Sequence, residues 1–70
     1  MNKEEPIELE LEYVHQTDLA VLVKDLDDNE VWLPKGQIEE RHDIDWESLE
    51  KEDTIEVTIP TWLAESAGLV

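Results

Sequence analysis

Glu8, Glu10 and Glu12 alternate with Ile7, Leu9, Leu11 and Tyr13 in the segment IELELEY. In a strand, that spacing puts three carboxylates on one face, about 6.6–6.8 Å apart. Phosphates along a nucleic-acid strand repeat on a similar scale, so the row could engage lysines and arginines that otherwise hold phosphates. A second acidic group, Asp25, Asp27, Asp28 and Glu30, falls in a stretch rich in turn formers. A third runs through Asp43, Asp45 and Glu47 to Glu50, Glu52 and Asp53.

Other chemistry finds little support in these residues. There is no cysteine nucleophile, and Ser48 and Ser66 lack the context of a nucleophile elbow. His15 and His42 are the only histidines and do not stand at metal-ligand spacing. Gly36 and Gly68 are the only glycines, too few for a phosphate loop. Asp25-x-Asp27-x-Asn29 begins like a calcium loop, but Glu30 replaces its glycine and Gly36 its final glutamate. Asp43-x-Asp45-x-Glu47 fails similarly, ending on Thr54. No carboxyl pair stands out as a buried acid–base couple. The expectation is a non-enzyme with no cofactor and no specific metal.

Charge sets the class of partner. Twenty acidic residues against five basic ones give a formal net charge of -15 over 70 residues. Direct binding to nucleic acid or to an anionic membrane is disfavoured, because phosphates need Lys and Arg. A basic protein surface is favoured, with steered and salt-dependent association, since charges are screened over about 8 Å at physiological ionic strength. No apolar run approaches the roughly 20 residues of a membrane span. The start of the chain lacks the features of a signal peptide. A single small, soluble, cytoplasmic domain is expected, with residues 1–5 as a frayed tail.

The elements that must position the carboxylates read as strands. Ile7–Val14 forms the first, and His15-Gln16-Thr17-Asp18 reads as a turn. Leu19–Leu26 is a second strand whose unbroken apolar run suggests a central strand covered on both faces, or one end in a barrel. Asp28-Asn29 suits the centre of a tight hairpin leading to Glu30–Pro34, where Pro34 marks an edge or an end. Gln37–Arg41 reads as a short strand or a turn. His42–Asp53 reads as a loop with one helical turn around Asp45–Leu49. Thr54–Pro60 is the last strand, facing Ile55, Val57 and Ile59 inward. Thr61 is placed to cap a short helix that Gly68 stops in a left-handed conformation. The fold class is mainly β: a small antiparallel sheet or partly open barrel of four to five strands with a short C-terminal helix.

Trp32-Leu33-Pro34-Lys35-Gly36-Gln37-Ile38, Ile59-Pro60, Trp62-Leu63-Ala64 and Gly68-Leu69 resemble motifs of small uncharacterised β-domains of bacteria and their phages. Those domains carry segments like WLPKSQI and IPxWLAxxxGL. The similarity spans about two-thirds of the chain. Gly36 departs from the serine expected there, and Glu52 stands where a glycine is usual before Asp53. The resemblance implies a fold and a phage-linked origin, with the bacterial host cell as the compartment. Size, acidity and the phage-like resemblance together fit a nucleic-acid mimic, of the anti-CRISPR or anti-restriction type. Its expected target is a basic nucleic-acid-binding protein of host defence, a CRISPR effector or restriction enzyme. The partner-binding residues would be Glu8, Glu10, Glu12, Asp25, Asp27, Asp28, Glu30, Asp43, Asp45 and Glu47, with Trp32 or Trp46 as an aromatic anchor.

Two other readings fit the same residues. A small adaptor domain could pair through a sheet edge or an apolar patch, its acid serving solubility. Adaptation to high salt is the other, although four lysines against one arginine, with five isoleucines, fit it poorly.

Overall fold

The computed structural model describes residues 5–39 and 41–70. Four antiparallel strands form one sheet in the order β3-β2-β1-β4: β1 (Pro6–Gln16), β2 (Ala20–Lys24), β3 (Glu30–Pro34) and β4 (Thr54–Pro60). A short helix, α1 (Thr61–Ser66), follows β4 directly. The mainly β class with a C-terminal helix is therefore present, but the sheet stays open and does not close into a barrel.

The alternation in IELELEY sorts side chains as its period requires. Leu11 and Tyr13 of β1, Val21 and Val23 of β2, Leu33 of β3, and Ile55, Val57 and Ile59 of β4 bury one face. Leu63 and Ala64 of α1 and Ile38 complete that core, and Ile44, Trp46 and Leu49 pack against it. Among the described residues, no second layer covers the opposite face. Strand β2 is interior to the sheet as its apolar run suggested, yet Ala20, Leu22 and Lys24 remain only half-buried. The expected cover on both faces is thus absent.

Strand β1 is longer than its alternation suggests and takes in His15 and Gln16, which read as a turn. A bulge explains this. Tyr13 pairs with Val23 but His15 pairs with Leu22, leaving Val14 without a counterpart. The extra residue moves His15 to the outer face and turns Gln16 to the inner one. Strand β2 is shorter than expected, because Leu19 precedes it and Asp25 and Leu26 enter the turn.

That turn is built on Asp25 rather than centred on Asp28-Asn29. The Asp25 carboxylate accepts the Asp27 N–H at 2.8 Å and the Asn29 N–H at 3.0 Å. Asp28 supplies the left-handed residue at φ 64°, which aspartate tolerates.

After Pro34, the chain leaves the β3 edge in a 3₁₀ turn, Lys35–Gln37, and buries Ile38. Glu39 then bridges to Thr58 on the β4 edge, its N–H donating to the Thr58 carbonyl at 2.8 Å. Among the described residues of Gln37–Arg41, the end of a 3₁₀ turn and a single bridge stand where a short strand or a turn was expected. Two further 3₁₀ turns follow, Arg41–Asp43 and Trp46–Ser48, the second lying within the expected helical turn.

Thr61 does not cap α1. Pro60 is the N-cap, and the Thr61 N–H and hydroxyl both donate to the Glu5 carbonyl, at 3.0 and 2.7 Å. Glu5 is therefore tied to the helix start. The rest of the expected tail, residues 1–4, lies outside the described residues. At the other end Gly68 adopts φ 75°. The Leu69 N–H reaches the Ala64 carbonyl and the Gly68 N–H that of Glu65, a Schellman closure.

Candidate protein-binding face

The uncovered outer face carries the β1 carboxylates. Strand register adds two glutamates to them. Glu8 stands opposite Thr58 of β4, and Glu39 flanks Thr58 on its far side. Glu10 stands directly opposite Glu56. Glu8, Glu39, Asp43 and Glu56, with Thr58 and Ile44, line one hollow of about 160 Å³. Four carboxylates from two strands, a bridge and a loop converge there, although they are up to 48 positions apart in sequence (Glu8 to Glu56).

Sequence reasoning placed Glu8 and Asp43 in separate clusters and left Glu39 and Glu56 out. The alternation of TIEVTIP already turns Glu56 outward. Its juxtaposition with Glu10 depends on β4 pairing with β1, which no local pattern encodes.

The remaining expected residues divide into free and committed groups. Lys24 sits between Glu12, at 3.6 Å, and its cross-strand partner Glu30. This pair is partly exposed and contributes little to stability. Asp25 is committed to the hairpin turn, and the Asn29 backbone N–H lowers its pKa below the ordinary 3.8. Desolvation opposes that shift, while the Asp27 N–H and the Asn29 side chain reinforce it. Asp27 and Asp28 are exposed at the same turn. Asp45 accepts the Ser48 hydroxyl at 2.6 Å, which makes it a loop-shaping residue. Glu47 is exposed in the 3₁₀ turn beside it. The acid is thus one face plus a hairpin tip, with Asp45 used locally.

The two proposed anchors part company. Trp32 lies on the outer face and is 48% exposed, with the His15 ring edge-on at 6.3 Å and Leu22 opposite it on β2. Trp46 is half-buried against the core. Lys35 covers its ring, with Nζ 4.6 Å from the centroid. The same ammonium donates to Gln16 Oε1 at 2.6 Å and to the Thr17 carbonyl at 2.7 Å. Trp46 Nε1 donates to the Arg41 carbonyl. Trp46 therefore pins the loop, and of these two tryptophans Trp32 is the exposed one.

Among the described residues, no group of three or more His, Asp or Glu is arranged to hold a metal ion. No helix among them is long and apolar enough to cross a membrane. No family model, curated protein or solved structure matches the chain.

Proposed function

We propose that the protein binds a basic nucleic-acid-binding protein through the outer face of its sheet and competes there with nucleic acid. The convergence of Glu8, Glu39, Asp43 and Glu56 on one hollow supports this reading. Glu10 and Glu12 continue the negative track along β1, and the described cation registered with it, Lys24, pairs with Glu12 and stands opposite Glu30. Like charges side by side destabilise a small sheet. A cationic groove relieves that repulsion on binding and steers association. The partner class is a defence nuclease of the CRISPR or restriction type, inhibited as by a DNA mimic and without catalysis.

The test is displacement of labelled duplex DNA from candidate CRISPR effectors and restriction enzymes, followed by fluorescence anisotropy at rising salt. Wild-type protein displaces DNA with a steep salt dependence. Glu8→Lys, Glu10→Lys and Glu56→Lys together abolish displacement. Unchanged displacement by the triple variant removes the sheet face from the mechanism.

A second reading is favoured by Trp32, which stays half-exposed beside His15 and Leu22. An adaptor docking through that patch loses its partner on Trp32→Ala and ignores the charge reversals and salt.

A further inference from the structure

Strand β1 is paired on both sides over only part of its length. Pro6–Glu12 has β4 as a neighbour throughout, but β2 reaches back only to the Glu12–Lys24 pair. Beyond Lys24 the chain turns away through Asp25. Among the described residues, the side of β1 from Glu8 to Leu11 that faces away from β4 therefore has no strand beside it.

The direction of the backbone groups follows from the two ends of β1. The Tyr13 N–H donates to the Asp53 carbonyl, and the Glu5 carbonyl accepts the Thr61 N–H, both on the β4 side. Antiparallel ladders alternate, so odd-numbered residues of β1 bond to β4 and even-numbered ones point the other way. Glu12 meets β2. Glu8 and Glu10 direct their N–H and C=O into the gap.

The gap has the walls of a strand site. Leu9, Leu11, Leu26, Leu69 and Val70 line a groove of about 340 Å³ there, together with Glu10 and the Asp25–Asp27 turn. Leu26 is fully exposed at its rim. The other sheet edges suit this use less well. Glu39 covers part of β4, and β3 is short and ends on Pro34, which has no N–H to offer.

We infer that the open side of β1 between Glu8 and Leu11 takes an extended segment of a partner protein as an added strand, with Lys or Arg alternating with apolar residues. Residues opposite Glu8 and Glu10 lie on the outer face among carboxylates, which selects cations. Residues between them lie on the inner face beside Leu9, Leu26 and Leu69, which selects apolar side chains. Backbone hydrogen bonds supply affinity and the alternating side chains supply specificity. A second copy of this chain is a poor occupant, because β1 against β1 sets one glutamate row against another. The inference rests on the basic-partner reading for its choice of cations, and on the unpaired backbone for the mode of binding.

The probe is an acetylated, amidated octapeptide of alternating Lys and Val. Its control carries the same charge but is N-methylated at every lysine, which removes the N–H groups aimed at β1. The readouts are NMR amide exchange and affinity. In the free protein, Glu8 and Glu10 amides exchange faster than those of Leu9 and Leu11. The peptide slows Glu8 and Glu10 by about tenfold or more, and the control binds about tenfold more weakly. No binding, unchanged exchange at Glu8 and Glu10, or equal affinity for both peptides overturns the added strand. Equal affinity with steep salt dependence leaves the electrostatic reading standing. Protected amides with no salt dependence overturn the electrostatic reading instead.

Discussion

Glu10 of β1 and Glu56 of β4 are direct cross-strand partners on the outer face of the sheet. By the alternation that bonds Glu5 and Tyr13 to the β4 side, theirs is a non-hydrogen-bonded pair, the type in which side chains stand closest. Like charges in such a pair oppose folding. Glu56→Lys replaces repulsion with attraction and raises stability by about 0.5–1 kcal/mol. Urea unfolding at low and high salt measures it, with the gain shrinking in 1 M KCl. A loss of stability at low salt contradicts the pairing.

Glu52 adopts φ 80°, in the left-handed region that non-glycine residues enter at a cost. It is the position where the resemblance called for glycine. Glu52→Gly relieves about 1 kcal/mol of strain and raises the melting temperature by about 4–8 °C. Differential scanning calorimetry reads the shift. Glu52→Ala, which keeps the strain and removes the charge, serves as the control and stays near wild type.

Asp25 holds the β2–β3 turn by accepting the Asp27 and Asn29 N–H groups. Its pKa is lowered on folding, so its contribution is present above the ordinary value of 3.8 and is lost as pH falls through the lower folded value. Amide shifts of Asp27 and Asn29 followed below pH 4 show a local transition at that folded value. Asp25→Ala abolishes the transition. A transition centred above 3.8 contradicts the sign.

Lys35 ties three segments together, contacting Gln16, Thr17 and Trp46. Lys35→Met keeps much of the stem packing and removes both charge-assisted hydrogen bonds, at a cost of about 2 kcal/mol. Selective loosening of residues 41–49 appears as faster amide exchange there than in β1. Uniform destabilisation without that local signature would mean the clasp does not hold the loop.

Several of these relationships were legible in the chain and several were not. The inner set Leu11, Tyr13, Ile55, Val57 and Ile59 follows from period-two alternation, and Gly68 marks the helix end through its freedom at positive φ. His15 and Gln16 belong to β1 although their polarity resembles that of a turn. The bulge at Val14 is what keeps both in the strand, and a bulge leaves no pattern of its own. Thr61 looked like a cap because caps are recognised locally. Its hydroxyl is instead taken by Glu5, 56 positions away.

The candidate face divides along the same line. That Glu8, Glu10 and Glu12 share one side of a strand is a property of the backbone repeat, and the sequence alone determined it. The excess of acid that motivates the proposal of a basic partner was equally its own. Tertiary structure decided that β1 lies between β2 and β4, which sets Glu56 against Glu10 and gathers Glu39 and Asp43 beside Glu8. It also decided that β2 stops short, leaving the backbone of Glu8 and Glu10 open. The reason is range. Alternation is written into neighbouring residues, whereas strand order and register are settled by burying distant apolar side chains in one core.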